Sequence, residues 1–252
     1  MAVYALTLAY KGTAYSGWQV QKNAVGVQEI MCDSAEKLFG KHISVTGCSR
    51  TDSGVHANGY VCHIETEKPF DVNKLPQALN MYLPRDIAVL SAREVDASFH
   101  ARYSALGKEY KYILSDSPIR NPFWDGLLYR YQFPVDTERA NALAQAFVGK
   151  HDFRAFMSAG SKITDTVRTV HYFRVSREDD RVIITTAADG FLYNMVRIMV
   201  GTLLKALKNG LDIKEVIASE NRDKAGPTAP PEGLYLNRVF YSEDELKREI
   251  LK

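Results

Sequence analysis

Cysteine is scarce in this sequence: only Cys32, Cys48 and Cys62 occur among its 252 residues. An odd count without a CxxC spacing argues against a disulfide framework and against a zinc site. We therefore expect three reduced thiols and no bound metal ion.

Long apolar runs are also absent. No stretch approaches the roughly 18 uninterrupted apolar residues of a membrane span. The first residues, MAVYALTLAY, lack the basic start and the long apolar stretch of a signal peptide. Low-complexity segments and repeats of fixed period are missing as well. We expect a cytoplasmic protein without a membrane anchor.

A strong excess of either charge is missing too. The 32 Lys and Arg residues nearly balance the 30 Asp and Glu residues, for a formal net charge of +2. Nucleic-acid-binding domains are usually clearly basic, so the net charge neither supports nor excludes such a partner. Between 150 and 174 the positive residues outnumber Asp152 and Asp165; they are Lys150, Arg154, Lys162, Arg168 and Arg174. Whether folding gathers them on one face stays open.

The sequence does contain many alternating strand patterns separated by helical ones. Strands are predicted over 3–10, 42–48, 59–65, 86–95, 108–115, 127–133, 169–177, 181–189 and 233–241. Helices are predicted over 25–39, 71–84 (with Asp71 as its cap), 137–148, 191–207 and, after the cap Asp212, in one shorter segment. Strands outnumber helices and hairpins are frequent, which is typical of an α+β fold. A boundary near residue 104 predicts two halves of similar make-up, 1–104 and 105–252.

The segment from Phe191 to Leu204 is apolar at nearly every position, which predicts a buried helix. Arg197 lies in its middle. An arginine cannot lose its proton, and burying it without a partner would cost several kcal/mol. Either Arg197 pairs with a carboxylate, or its side chain extends to solvent at the helix edge.

The connection GCSRTDSGVHA places Arg50, Asp52 and His56 close together between two buried strands. In the simpler interpretation it is a turn, in which the aspartate caps backbone amides and the following glycine has a positive φ. In the functional interpretation, Asp52 lies between the guanidinium groups of Arg50 and Arg197 and stays ionised with a lowered pKa. Such a carboxylate suits a nucleophile or a general base.

Tyr110 and Tyr112 are two residues apart and share one face of a predicted strand. Tyr112 is expected in the core. Tyr110 follows the charged residues Lys108 and Glu109, which predicts a solvent-accessible end of the strand. An exposed tyrosine face there could stack on a nucleic-acid base, a contact of roughly 1–3 kcal/mol.

Six segments, in order along nearly the whole chain, together resemble the bacterial tRNA pseudouridine synthase A family. They are YKGTAYSGWQVQ, SRTDSGVHA, FHARYSALGKEYKY, HDFRAF, GFLYNMVRIMVG and EGLYL. The resemblance implies a pseudouridine synthase fold, with two ferredoxin-like halves that share a central, mostly antiparallel sheet flanked by helices. It also implies an isomerase that converts uridine to pseudouridine at positions 38, 39 and 40 in the anticodon arm of tRNA, a homodimer, and neither a metal nor an organic cofactor.

The resemblance also implies roles for particular residues. Asp52 matches the catalytic aspartate, Tyr110 the tyrosine that lies against the target base, and Arg197 the arginine that pairs with the aspartate. The remaining matches are Arg50, His100 and Arg102 at basic positions expected near RNA, and Gly233 and Leu234 in a segment that lines the pocket. Whether the reaction proceeds by addition to the base ring or at the ribose stays open.

Three positions depart from the family pattern. Lys11 stands where the family usually has Asp, Ser49 where it usually has Gly, and Ser53 where it usually has Ala. If the position of Ser49 requires a positive φ, a serine there adds strain to the loop.

Other functions compete with this interpretation. A non-catalytic RNA-binding module of the same fold would need exposed aromatics and cations, but no buried arginine that faces a carboxylate. A glycoside hydrolase needs two carboxylates about 5–10 Å apart, and the other acids considered, Asp165, Asp189 and Glu65, lie near turns or after a strand.

Two further patterns suggest hydrolysis or metal binding only weakly. Ser53 and His56 could form a nucleophile–base pair, but the G-x-S-x-G turn of many hydrolases is missing. Cys62 and His63 are adjacent on a predicted strand, so their side chains point to opposite faces and cannot bind one metal ion.

Overall fold

The computed structural model describes residues 1–161 and 163–252. The chain divides into two compact units. The first contains Met1–Leu106 and Tyr235–Tyr241, and the second contains Gly107–Leu234 and Ser242–Lys252. Nearly all of the last strand therefore belongs to the first unit.

Strands and helices are interspersed along the chain, and most neighbouring strands pair antiparallel, as is typical of an α+β protein. The strands are β1 (Ala2–Tyr10), β2 (Val45–Gly47), β3 (His56–Thr66), β4 (Ile87–Val95), β5 (Gly107–Ser115), β6 (Tyr129–Arg130), β7 (Gly149–Asp152), β8 (Val167–Glu178), β9 (Arg181–Ala188) and β10 (Leu234–Phe240). The α-helices are α1 (Val27–Phe39), α2 (Leu75–Asn80), α3 (Thr137–Ala144), α4 (Met195–Asn209), α5 (Ile213–Ser219) and α6 (Glu243–Ile250). The predicted α+β class is confirmed.

The first unit contains a sheet in the order β4-β1-β3-β10. β1 is antiparallel to β4 and to β3, while β10 runs parallel to the start of β3, with Tyr235 opposite His56. β2 pairs antiparallel with Cys62–Ile64 of β3, so the two strands form a hairpin whose connection lies at one end of the pair. Helix α1 packs near β2 and α2 near β4.

The second unit contains strands in the order β5-β9-β8-β7, with the short β6 parallel to β5. β8 and β9 form the predicted hairpin, and β5 and β7 extend it on either side in antiparallel pairing. Helix α3 packs against β8 and against α4. The buried face of α4, from Met195 to Ala206, is largely aliphatic, as its sequence predicts.

Several helix boundaries differ from the predictions for local reasons. The helix expected from Asp71 begins only at Leu75, because the side chain of Asp71 accepts the Asn73 amide and its carbonyl accepts the Leu75 amide in a preceding turn. Asp212 does cap α5, as predicted, and accepts the amides of Lys214 and Glu215. Helix α6 was not predicted.

The long apolar helix also begins later than its pattern suggests. Asn194 has a left-handed backbone with φ 61°, so α4 begins at Met195 and the residues from Phe191 form a turn before it. No helix in the two described ranges, 1–161 and 163–252, combines the length and hydropathy that a bilayer span requires.

Candidate active site

Asp52 lies in the connection from β2 to β3, called here the Asp52 loop (residues 48–55). Its side chain is half-buried. The Val55 amide donates to the Asp52 carbonyl (3.1 Å), and Gly54 has φ 78°, so the predicted turn is confirmed. The loop thus presents a carboxylate on a tight, hydrogen-bonded turn.

A cluster of three aromatic rings supports the start of this loop. The rings of Trp18 and Tyr60 stack with centroids 4.0 Å apart, and Tyr10 lies 5.7 Å from Tyr60. The Tyr60 hydroxyl donates to the carbonyl of Ser49 (2.5 Å), and a hydrogen bond of 2.9 Å joins the hydroxyls of Tyr10 and Thr51. Burial raises the pKa of Tyr60 well above its ordinary value, so the phenol stays protonated and can donate.

The segment from Lys11 to Trp18, called here the glycine loop, supports the middle of the Asp52 loop. The Trp18 amide donates to the Thr51 carbonyl (3.2 Å). Gly17 has φ 84°, and a Cβ atom placed on it would lie 2.2 Å from that same carbonyl oxygen. Only glycine allows this approach, and it brings the glycine loop against the residue that precedes Asp52.

The glycine loop also binds the residues that follow Asp52. The Tyr15 carbonyl accepts the Gly54 amide (3.2 Å) and the Ser53 hydroxyl (3.3 Å). The Tyr15 hydroxyl in turn donates to Asp86 (2.7 Å), just before β4. The backbone on both sides of Asp52 is therefore fixed by a second, anchored loop.

The three departures from the family pattern do not disturb this loop. Ser49 does not have a positive φ, so the strain considered for it does not arise. Ser53 is exposed, and its hydroxyl adds a bond to the glycine loop. Lys11 is exposed, and its amide donates to the Asp86 carbonyl (2.9 Å).

His56, at the start of β3, is fully buried. Its Nδ1 accepts the Gly12 amide (2.9 Å), and its ring stacks on Tyr235 with centroids 4.6 Å apart. The Ser53 hydroxyl donates to Tyr15 instead. The bond from Gly12 to His56 and the bond from Ser53 to Tyr15 are not the hydroxyl–imidazole pair of a serine hydrolase.

The predicted basic residues of the first unit lie at the surface to different degrees. Arg50 and Arg102 are exposed, and His100 is half-buried. The nearby His63 is buried, and its Nδ1 accepts the Ala101 amide (3.2 Å), so it is a satisfied core residue as predicted.

In the second unit, the expectation that Tyr110 presents an exposed face is wrong: its side chain is 7% exposed. Phe191 packs edge-on against it, with centroids 5.1 Å apart and planes at 85°. The neighbouring Glu109, expected to be in solvent, is buried and accepts a short hydrogen bond from the Tyr172 hydroxyl. The charged residues before Tyr110 therefore did not indicate an exposed strand end.

Tyr112 is fully buried, as predicted. Its hydroxyl donates to the Pro230 carbonyl (2.8 Å). Gly233 lies against its ring, where a Cβ atom would be 2.6 Å from the nearest ring carbon. Leu234, the next residue, is also buried.

Arg197 projects from α4 and is half-buried. Within its own unit, its Nε donates to the Ala229 carbonyl (2.7 Å) and its Nη1 donates to Asn194 Oδ1 (2.7 Å). The Asn194 amide nitrogen donates to the Ser158 hydroxyl (2.9 Å). The guanidinium is therefore fixed by hydrogen bonds on two sides, and Asn194 is a partner that the sequence did not suggest.

The segment 225–230, called here the Arg197 strap, packs closely on α4. A Cβ atom on Gly201 would lie 1.8 Å from the Pro227 carbonyl oxygen, so glycine is required in this turn of the helix. Thr202 accepts the Gly226 amide (2.8 Å) on its hydroxyl. The strap and helix therefore hold the Ala229 carbonyl in place for Arg197.

The other acids considered from sequence are turn or surface residues. Asp165 accepts the Val167 amide (3.1 Å), Asp189 accepts the Thr169 amide (3.0 Å), and Glu65 is exposed on β3. No group of three His, Cys, Asp or Glu side chains in the described ranges is arranged to hold a metal ion.

Several cations between 150 and 174 are bonded within the second unit. Arg154 lies 3.4 Å from Glu220, Arg168 donates to the Asp165 carbonyl (3.2 Å), and Arg174 donates to the Glu249 carbonyl (3.0 Å). Lys162 lies outside the described residues.

A family model and two named relatives support the resemblance seen in the sequence. A family model described as tRNA pseudouridine synthase matches residues 7–104 and 143–242. A relative named tRNA pseudouridine synthase A from Thermoanaerobacter sp. (strain X514) is 43% identical over 240 residues, which cover 94% of this chain and 98% of the relative. One of the same name from Ruminiclostridium cellulolyticum is 42% identical over 240 residues, with the same coverage. A chain in a solved Cbf5-Nop10-Gar1 complex, 12% identical, matches 94% of this chain and 59% of its own length with a TM-score of 0.40.

Proposed function

This chain belongs to the tRNA pseudouridine synthase family, and from that premise we propose that it converts uridine to pseudouridine at positions 38, 39 and 40 in the anticodon arm of tRNA. The expected enzyme class, a pseudouridine synthase that acts as an isomerase in tRNA modification, is confirmed by that membership. The positions in the arm and the residues that act there are the proposal.

The observation that carries the proposal is the fixation of the Asp52 loop. Hydrogen bonds hold the backbone before Asp52, through Thr51, and after it, through Gly54. A reacting group that is fixed before substrate arrives does not have to be ordered during the reaction, which lowers the barrier. Asp52 therefore suits the role of catalytic carboxylate.

The chemistry requires no other reactant. The bond from uracil N1 to ribose C1′ breaks, the base turns, and a bond from C5 to C1′ forms, while C5 loses a proton and N1 gains one. Substrate and product have the same composition, so neither oxidant nor energy source is consumed. Asp52 acts either as a nucleophile or as a base, by addition to the ring or at the ribose.

The target base must leave its stack before it can react, which costs a few kcal/mol. We assign Tyr110 as the residue against which the base then lies. Because Phe191 already fixes the Tyr110 ring, little side-chain entropy is lost when the base arrives. We assign Leu234 to the lining of the base pocket.

The pairing of Arg197 with Asp52 stays a prediction. A guanidinium that cannot lose its proton would keep the carboxylate ionised. A double-mutant cycle with Arg197→Met and Asp52→Asn, read out by the free energy of unfolding, tests it: a pair predicts non-additive losses of stability, and additive losses would exclude it.

Arg50, His100 and Arg102 are assigned to phosphate contacts, since most protein–nucleic acid hydrogen bonds go to the backbone. Affinity for tRNA should then fall steeply between about 50 and 200 mM salt. An affinity that does not change with salt would contradict the assignment. We also propose that the protein is cytoplasmic and that it forms a homodimer. The mass measured by sedimentation tests the homodimer.

The experiment that tests the function maps pseudouridine in unmodified tRNA after incubation with the wild type and with Asp52→Ala. The proposal predicts product at positions 38 to 40 with the wild type and none with the variant. Product only at other positions would overturn the assigned site, and product with Asp52→Ala would overturn the role of the aspartate. The non-catalytic RNA-binding module predicts bound tRNA and no product from either protein.

A further inference from the structure

Tyr103 is 77% exposed, in the turn that connects β4 to the end of the first unit. Single exposed aromatic residues are common on protein surfaces. Tyr103 differs from them because its backbone and its ring are both held in one orientation. The turn that carries it is defined here as the His100 turn (residues 100–104).

Four hydrogen bonds close the His100 turn. The Ser104 amide donates to the His100 carbonyl (2.9 Å), and the His100 amide donates to the Ser104 hydroxyl (3.0 Å). The amides of Arg102 and Tyr103 both donate to Nδ1 of His100, at 3.1 and 3.2 Å. The backbone of Tyr103 is thus fixed by the imidazole three residues before it.

The Tyr103 ring is the outer member of a row of rings. His63, buried on β3, lies 5.1 Å from His100, and His100 lies 4.3 Å from Tyr103 with planes at 34°. The Arg102 guanidinium lies 5.6 Å from the centroid of the same tyrosine ring. Much of the Tyr103 side chain is nevertheless exposed to solvent, with the guanidinium of Arg102 over its ring.

The base of the turn is anchored as well. The Tyr241 hydroxyl donates to the Ala101 carbonyl (2.7 Å), and its ring lies 5.1 Å from that of Phe99. The Arg93 guanidinium lies over both rings, at 5.2 Å from Phe99 and 5.7 Å from Tyr241. The row of rings is therefore anchored to the sheet of the first unit, and Tyr103 is not a freely mobile surface side chain.

A fixed and largely exposed aromatic ring that already lies against a guanidinium matches the chemistry of an unpaired nucleotide. Proteins that bind RNA stack splayed bases on tyrosine and arginine planes. Removing such a stack weakens binding by roughly 5- to 150-fold for each base. Because the ring is already ordered, little of that gain is lost to side-chain entropy.

We infer that Tyr103 is a base-stacking residue for an unpaired nucleotide of the substrate tRNA, with Arg102 beside it for the adjoining phosphate. This rests on the proposed function, since it takes tRNA as the ligand. It adds a binding contact and assigns Tyr103 no part in bond breaking or bond making.

Four variants test the inference by tRNA affinity and by the rate at saturating tRNA. Tyr103→Ala and Tyr103→Leu should each raise the Kd for tRNA by about fivefold or more, because alanine removes the ring and leucine keeps the apolar area but has no π face. Tyr103→Phe and Tyr103→Trp should stay within about threefold of the wild type, since each keeps a π face. At saturating tRNA all four should form product at the wild-type rate.

Phe123→Ala is the matched control, because Phe123 is 86% exposed and makes no ring or cation contact within the described residues. Its affinity for tRNA should not change. Wild-type affinity in Tyr103→Leu, or an equal loss in Phe123→Ala, would overturn the inference; a protein partner for Tyr103 would give the first result. If the wild type itself forms no pseudouridine, the proposed function fails. If the wild type and the variants form pseudouridine and bind tRNA with equal affinity, only the inference about Tyr103 fails.

Discussion

Replacing Gly17 by alanine should slow pseudouridine formation. The loss of rate should exceed the loss that destabilisation of the protein alone would cause. The new Cβ would lie 2.2 Å from the Thr51 carbonyl oxygen, and a separation of even 3.0 Å requires a shift of at least about 0.8 Å. Asp52 directly follows Thr51 in the chain. Because a displacement of about 1 Å can cost about 100-fold in rate, we expect the single-turnover rate to fall by roughly 30- to 100-fold.

Gly40→Ala is the matched control for this prediction. Gly40, at the end of α1, has φ 72°, close to the φ of 84° at Gly17, but a Cβ atom placed on it would meet no atom within 4 Å. Both variants therefore have similar backbone strain, on the order of 1–2 kcal/mol, and only Gly17→Ala collides with the Asp52 loop. Gly40→Ala should lose stability but react at the wild-type rate.

The assay combines urea unfolding with the rate of pseudouridine formation at enzyme concentrations that saturate tRNA. Saturation separates the chemical step from weaker binding. If Gly17→Ala reacts within twofold of Gly40→Ala, the glycine loop does not position Asp52. If both variants lose rate equally, the loss follows from stability and the geometric explanation is wrong.

Three further predictions concern the second unit. Gly201→Ala should lower the free energy of unfolding by about 1–3 kcal/mol through overpacking of the Arg197 strap. Asn194→Gly keeps the left-handed backbone but removes a hydrogen bond to Arg197, so kcat/KM should fall by roughly tenfold. Asp116→Asn should lower stability at pH 7 by about 1–2 kcal/mol, because Asp116 accepts two bonds from Arg177 (2.9 and 2.8 Å). The Arg177 hydrogen bonds hold the pKa of Asp116 below its ordinary value, so this stability is present above about pH 3.9 and is lost as pH falls through the lower folded pKa.

Each of these predictions has its own contrary result. Asn209→Ala, at an exposed position of α4, is the control for Gly201→Ala and should change stability by no more than about 0.5 kcal/mol. A change in the free energy of unfolding of Gly201→Ala as small as that of the control would exclude overpacking. An unchanged kcat/KM in Asn194→Gly would show that Arg197 needs no such partner. If the free energy of unfolding fell with decreasing pH at the same slope in Asp116→Asn and in the wild type, a stabilising role for the Asp116 carboxylate would be excluded.

Features encoded by neighbouring residues were predictable from the sequence. TDSG predicts the turn at Asp52 and the positive φ of Gly54, and Asp212 followed by an apolar pattern predicts the cap of α5. The β8–β9 hairpin follows from two alternating runs around a charged turn. In each case the signal and the structure lie within a few residues of each other.

Features that depend on distant residues were not predictable. Glu109 is buried because it pairs with Tyr172, 63 residues away, and Tyr110, on the opposite face of the strand, is buried against Phe191. The support of the Asp52 loop comes from rings on β1, on the glycine loop and on β3, which meet only in the folded chain. The apolar run from Phe191 similarly hid the left-handed Asn194 that sets the start of α4.

The central claim is that the Asp52 carboxylate carries out the isomerisation, and Asp52→Asn tests it most directly. The amide has nearly the shape of the carboxylate but neither its charge nor its capacity to act as a nucleophile or base. The account predicts no detectable pseudouridine in a single turnover at saturating enzyme, together with a Kd for tRNA within about threefold of the wild type. Pseudouridine formed by Asp52→Asn at a rate within about tenfold of the wild type would contradict it.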